Sequence, residues 1–301
     1  MLRASLLVVA VFCQVSAVSA QEATSGSETG ALSEQRILHV KPRYYRWHVD
    51  VGEEWLEKNT GYACLEWDIP MSQAALVLVD VWDRHYLKEP EDRAERIIQE
   101  TIRPLLKTCR TAGLQIIHAP SPSQAQKCAA WVGREKQKEL PAGAPIPKTA
   151  SVSAKPWPPA QFRGKSGPYA KYARPAEPMA SDRLRILKGL CLHPDVQPEG
   201  ADVVVATGQE LHEFCRDRGI LFLFYLGFNT NMCILQRDYG TMAMHTRGYE
   251  IIVVRDCTTG MESFETQDGL WQTRGAILFL EMNRKYSILS KELLAGLPKQ
   301  D

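Results

Sequence analysis

The sequence predicts an α/β protein, a parallel sheet with helices packed on both faces. Continuous apolar runs such as AALVLVDVWD (74–83) and LFLFYLGF (221–228) mark strands buried on both sides, the pattern of a parallel sheet. Stretches with apolar residues at helical spacing separate these runs, and strand–helix alternation of this kind closes into right-handed βαβ units.

The elements follow in order. Residues 1–20, MLRASLLVVAVFCQVSAVSA, hold Arg3, an apolar run from Leu6 to Val15, and small residues before Gln21. This is the form of a secretory signal cleaved near Ala20, with a run too short to span a membrane, and it predicts a secreted or periplasmic protein. Residues 21–35 are small and polar and read as a disordered leader. The domain then runs over 36–301. It opens with an extension, 36–73, whose alternating aromatics suggest a strand or hairpin packed onto the main body. The first strand, 74–83, leads into a helix with Ile97, Ile98, Ile102, Leu105, Leu106 and Cys109 on one stripe. LQIIHAP (114–120) and DVVVA (202–206) are the second and third strands, and a helix over 208–219 follows the third. LFLFYLGF is the fourth strand. NMCILQRDYGTMAMHTRG (231–248) reads as one helix, YEIIVVRDC (249–257) as the fifth strand, and 270–285 as a helix. YSILSKELL (286–294) closes the chain as a last strand with a short helix.

Residues 121–182 break the rhythm. The segment is rich in proline, and between Lys127 and Arg174 ten Lys/Arg face two acids, Glu135 and Glu139. A connection of that length is commonly functional, so it is expected to border a pocket.

Net charge is +1, which gives no global attraction to nucleic acid or to an anionic membrane. The expected partner is a small-molecule substrate. Assembly into a homo-oligomer stays open. Seven cysteines remain after cleavage: 64, 109, 128, 191, 215, 233 and 257. They contain no CxxC pair and no zinc-like Cys/His spacing, so neither metal nor cofactor is expected.

In open parallel sheets the ligand lies beyond the carboxyl ends of the strands. Asp80 ends the first strand, the turn Gly227–Cys233 follows the fourth, and Asp256 and Cys257 end the fifth. A carboxylate and a thiol at one sheet edge can act as base and nucleophile, and a helix start beside Cys233 favours thiolate. Turn N–H groups can bind an oxyanion. Asp256 reads as a helix cap, Cys109 and Cys215 as core, and His118 as structural. His85 is near enough to Asp80 in sequence to line the pocket, and a structural hydrogen-bonding histidine fits it equally well; Trp82 is placed with the substrate-contacting candidates.

ALVLVDVWDRHY, LGFNTNMCI and RGYEIIVVRDC together resemble the isochorismatase-like hydrolase superfamily, which includes the nicotinamidases. The pattern, Asp, then Lys, then Gly-x-x-Thr-x-x-Cys, then Gly-Tyr, falls on Asp80, Gly227, Thr230, Cys233, Gly248 and Tyr249. The resemblance implies a three-layer sandwich on a six-stranded parallel sheet. It also implies thiolate attack by Cys233 on an amide-like C–N bond, with Asp80 as acid and base. A cis peptide at Phe228–Asn229 is implied too, with the N–H groups of Asn229 and Cys233 as oxyanion donors and Thr230 beside them. The lysine is missing: Thr207 stands at the end of the third strand. Lys188, then Lys165 and Lys171, are the candidates to replace it. Trp82 stands where glutamine is common, and the nicotinamidase metal ligands are absent. An exported cysteine hydrolase of a small amide, imide or carbamoyl compound is expected. The alternative is an inactive small-molecule-binding protein on the same scaffold.

Overall fold

The computed structural model describes residues 36–134 and 157–299. The signal and leader readings, 1–35, lie outside the described residues, as does 135–156 of the basic segment.

Ten strands form among the described residues. β1 (Ile37–Val40), β2 (Arg43–Arg46), β3 (Gly61–Cys64) and β4 (Trp67–Pro70) belong to the extension. β5 (Ala74–Val79), β6 (Gln115–Ala119), β7 (Val203–Val204), β8 (Phe222–Phe228), β9 (Glu250–Thr259) and β10 (Tyr286–Ile288) alternate with helices. The main sheet runs β3-β2-β10-β9-β8-β5-β6-β7, and β5 to β10 within it are parallel. The six expected strands therefore form one parallel sheet. The hairpin β2–β3 adds two antiparallel strands at the β10 edge, making eight. β1 and β4 pair separately as a two-stranded ribbon.

Helices cover both faces. Buried residues alternate along β5: Leu76 and Leu78 pack on one side, Ala75, Val77 and Val79 on the other. The first side meets α1 (Lys88–Ile97), α2 (Arg103–Thr111) and the C-terminal helix through Ala94, Leu105, Leu106, Cys109 and Leu293. α1 and α2 are joined by the π turn Ile98–Ile102, just before Pro104, which supplies no N–H to an α-helical ladder. The basic segment begins with α3 (Pro122–Ala125); beyond residue 156 it contains α4 (Ala160–Arg163) and α5 (Ala180–Lys188). The second face meets α6 (Gly208–Arg218), α7 (Thr241–Thr246) and α8 (Trp271–Met282) through Leu211, Phe214, Cys215, Met244 and Leu280. The C-terminal helix is α9 (Ser290–Gly296). Its first turn is held by Asp256, whose carboxylate accepts from Ser290 N–H (2.8 Å) and Ser290 Oγ (2.7 Å).

The helix expected over 231–248 is two pieces. Thr230–Ile234 is a π turn, and α7 starts only at Thr241. Tertiary contacts break it. Asp238 turns to accept from Gly208 N–H at the start of α6 (2.8 Å), and Thr241 Oγ1 donates to the Ile234 carbonyl (2.9 Å). A Cβ on Gly240 would lie 2.8 Å from that same carbonyl oxygen, so the reversal needs glycine.

The chain builds outward from β5 through β6 to β7, then returns to lay down β8, β9 and β10 on the opposite side. The order reverses between β5 and β8, the place in an open parallel sheet where a ligand crevice is expected beyond the carboxyl ends. Val79 pairs with Gly227 at this point. Gly227 has φ +113°, and a Cβ would sit 2.0 Å from the Val79 carbonyl oxygen. Gly227→Ala therefore forces two central strands apart. We expect a loss of more than about 3 kcal/mol, at the severe end for a single substitution. Urea unfolding checks this: a midpoint within error of wild type would show that the strands can part at little cost.

Candidate active site

Asp80 leaves β5 with φ +44°, a left-handed conformation that Asp tolerates better than most residues. Its side chain is buried. β8 ends at the cis peptide Phe228–Asn229, and the π turn that follows carries Cys233. The Asn229 carbonyl accepts from Met232 N–H (3.1 Å) and Ile234 N–H (3.2 Å), closing this turn. Arg237 N–H donates to the Cys233 carbonyl (3.2 Å), so Arg237 sits one helical turn beyond the cysteine, on its side of the turn.

The structure brings Asp80 and Cys233 together and adds two residues. Arg237 donates to Asp80 Oδ2 from Nε (3.4 Å) and Nη2 (3.2 Å), and Nη2 donates to Ser121 Oγ (2.8 Å). Ser121, just beyond β6, donates in turn to Asp80 Oδ1 (3.0 Å). Both carboxylate oxygens are thus held. Burial pushes the Cys233 thiol up to about 12, and the charge and hydrogen bond of Asp80 push the same way. The Arg237 charge opposes them. Burial works against the Arg237 charge, but Asp80, together with Tyr239 and Cys233, outweighs it and holds the guanidinium above its ordinary value. The expectation that a helix start would favour thiolate is therefore corrected. Cys233 lies within a five-residue π turn, not on a long helix, and burial and Asp80 outweigh the turn's dipole.

The other residues singled out in the sequence fall in varied places. The Phe228 ring is buried and packs against Trp82 (5.0 Å between centroids), and Trp82 packs against His85 with the rings tilted (5.2 Å, 37°). Burial lowers the His85 pKa, and its Nδ1 accepts from Leu87 N–H. Asn229 is buried, and its Oδ1 finds no partner among the described residues. Thr230 is fully buried, and its hydroxyl bonds Thr258 on β9 (2.6 Å), so it braces the turn from behind. Thr207 is the N-cap of α6, its hydroxyl accepting from Glu210 N–H (3.1 Å). Lys188 is exposed near the end of α5 and makes no bond to Asp80 or Cys233. Lys165 lies over the Phe162 ring (3.7 Å), and Lys171 over Tyr172 (5.1 Å). Among the described residues the cation that reaches Asp80 is Arg237, in place of the lysines considered, because a residue one turn past the nucleophile is already at the sheet edge. His118 bonds Asp202 (3.1 Å) and is fully buried.

A family model, the isochorismatase domain, matches residues 74–280. The chain belongs to the isochorismatase family. Solved structures with a similar fold include a cysteine hydrolase from Pseudomonas syringae pv. phaseolicola (15% identity, 77% of this chain and 95% of that one, TM-score 0.46). An isochorismatase family protein from Burkholderia thailandensis (16%, 75% and 96%, TM-score 0.42) and N-carbamoylsarcosine amidase from Thermoplasma acidophilum (14%, 72% and 96%, TM-score 0.37) are others. No curated protein matched.

As an isochorismatase-family hydrolase, the chain places its thiol and carboxylate at the strand-order reversal. Ser121 and Arg237 were missed in the sequence. For Arg237 a signal was present: it is the one Lys or Arg between Gly227 and Arg247, four residues past the cysteine. For Ser121 the signal was its place directly after LQIIHAP, at the start of the segment expected to border a pocket. A cavity of about 430 Å³, lined by Gln124, Cys128, Cys191 and Leu192, is a separate feature, with neither Asp80 nor Cys233 on its walls.

Asp80 raises the Cys233 thiol, so Asp80→Asn is expected to lower it. Removing the anion favours thiolate, and Arg237 loses its counter-ion and turns more fully to the sulfur. Alkylation of Cys233 by iodoacetamide, followed by peptide mass spectrometry across pH 7 to 10, should run faster in Asp80→Asn. A slower or unchanged rate would mean that Asp80 does not govern the thiol.

Proposed function

We propose that this isochorismatase-family protein is an exported cysteine hydrolase that cleaves a C–N bond of a small amide, imide or carbamoyl compound. The observation that carries the reading is Asp80 set against the Cys233 thiol at the strand-order reversal. Cys233 Sγ attacks the substrate carbonyl carbon while its proton passes to Asp80 and the carbonyl π electrons move onto oxygen. Backbone N–H groups of the 229–233 turn supply the oxyanion donors in this scheme. As the C–N bond breaks, Asp80 returns the proton to the leaving nitrogen, and a thioester remains. Water, deprotonated by Asp80, then attacks the thioester, and the sulfur leaves and is reprotonated. Export rests on the signal-like residues 1–20, and the substrate acts alone, without nucleic acid or membrane. The missing lysine favoured an inactive binding protein; a cation at the Asp80 carboxylate removes the ground for that reading.

A panel of small amides, imides, ureas and N-carbamoyl compounds should contain at least one substrate that yields ammonia or amine. Cys233→Ala should abolish that turnover. Asp80→Asn should lower it by about a hundred- to ten-thousand-fold, the usual contribution of a general acid–base group. Turnover that survives in Cys233→Ala would refute the thioester route. The precursor expressed in a bacterium should appear in the periplasm or medium with its new N-terminus near Gln21; retention in the cytoplasm, uncut, would refute export.

A further inference from the structure

We propose that Arg237 is the catalytic cation of this site, standing in for the lysine of the family pattern and touching the negative charge wherever it resides as it passes between Asp80 and the Cys233 sulfur. The assignment rests on the cysteine-hydrolase reading for the reaction it serves, and on geometry for the contacts themselves.

Three hydrogen bonds tie one guanidinium to Asp80 and Ser121. Nε and Nη2 share Asp80 Oδ2, Nη2 also reaches Ser121 Oγ, and the charge of the group acts on the Cys233 thiol against that of Asp80. Thr207, three residues past β7, is committed to capping α6 and brings no charge. The cation has thus moved from the third strand of the parallel set to the nucleophile's own turn, where the Arg237 N–H to Cys233 carbonyl bond fixes its position.

The charge balance explains why a cation is needed. At rest the thiol is neutral and Asp80 and Arg237 compensate each other. When Asp80 takes the thiol proton, the negative charge leaves the carboxylate and appears on sulfur. Without Arg237, that thiolate would form in a largely buried pocket with no counter-charge, at a desolvation cost. With Arg237 the same cation faces the anion before and after the transfer, so the step moves charge by a short distance and does not create it. An arginine keeps its proton throughout. It cannot donate to the leaving group, so all proton movement passes through Asp80. Its planar fork can hold the carboxylate and the serine at once, a geometry that a lysine ammonium at the end of a flexible stem does not fix. About a third of the side chain remains exposed (35%). Among the described residues Tyr239 also faces Cys233 and Asp80, and its hydroxyl donates to the Pro120 carbonyl (3.0 Å).

The test needs no substrate. Cys233 in the purified protein is alkylated with iodoacetamide from pH 7 to 10 and quantified by peptide mass spectrometry, in wild type and in Arg237→Met, Arg237→Gln and Arg237→Lys, each checked for folding by circular dichroism. Arg237→Met should slow alkylation at pH 8 by about tenfold or more, since one unit of thiol pKa changes the thiolate fraction tenfold. Arg237→Lys should recover much of that loss. If Arg237→Met does not fold, Arg237→Gln, which keeps polar contacts and loses the charge, carries the same expectation. Wild-type alkylation rates in the uncharged variants would overturn the proposal. If the substrate panel yields no product but the uncharged variants still lose thiol reactivity, the hydrolase reading fails while Arg237 keeps its role at the thiol. If the panel yields product and the uncharged variants alkylate and turn over normally, the assignment of Arg237 alone fails.

Discussion

The contact of Val79 with Gly227 is the constraint on which the rest depends. β5 and β8 are both buried on both faces, and they pair in parallel from Ala74–Phe222 to Val79–Gly227. The last pair brings backbone against backbone so closely that no side chain fits at Gly227. That closeness delivers Asp80 and the Cys233 turn to one point without either needing a long reach. Everything functional is then added within a few residues of the strand ends. Ser121 comes from the end of the neighbouring β6, and Arg237 from one turn beyond the cysteine. Central strands are also the stiffest part of such a fold, so the site inherits the rigidity of the core.

The parallel sheet was legible because a continuous apolar run fits few elements. AALVLV can only be a strand with both faces covered or a buried helix, and its length and flanking residues decide for the strand. The extension was harder to count. Its aromatics indicate strands, but nothing local says that Arg43–Arg46 will pair with β10 and widen the sheet from six strands to eight, since that is a pairing across more than two hundred residues. The stretch 231–248 misleads for a similar reason. Its periodicity is helical, and what breaks it is a bond from Asp238 to the start of α6, a residue distant in sequence. Of the site, the carboxylate and thiol were readable because sheet topology alone brings strand ends together. The cation was not. The family pattern points to a lysine at the end of β7, and charge is densest in the basic segment, yet charge density says little about reach. Lys165 and Lys171 lie over their own neighbours' rings, whereas one isolated arginine at helical spacing from the nucleophile needs no loop to carry it.

The direction of the Cys233 shift follows from magnitudes. A helix N-terminus contributes roughly 0.3–1 kcal/mol at an exposed site and up to about 2 kcal/mol in a favourable one, or about one pKa unit. Full burial of an ionisable group can shift it by up to about 3–5 units in the opposite sense. A five-residue π turn offers less than a full helix, so burial was bound to win, and an adjacent carboxylate adds to it. A raised resting thiol is compatible with catalysis where a base and a counter-charge are both in contact with it, because what matters is the free energy of the thiolate paired with protonated Asp80, not of the free thiolate in solution.

This view also accounts for the form of the departure from the family pattern. Losing the lysine at the end of β7 would leave Asp80 as a buried, uncompensated carboxylate, and removing one partner of a buried pair is far more costly than replacing both. A chain that kept Asp80 buried had to find another cation at that carboxylate. Arg237 satisfies the structural demand with two bonds to one oxygen, and Ser121 covers the other. A compensation driven by stability alone could have paired Asp80 with an arginine from any side. That it comes from the cysteine's own turn, close enough to oppose the carboxylate's effect on the sulfur, ties the balance of the buried charge to the reactivity of the nucleophile.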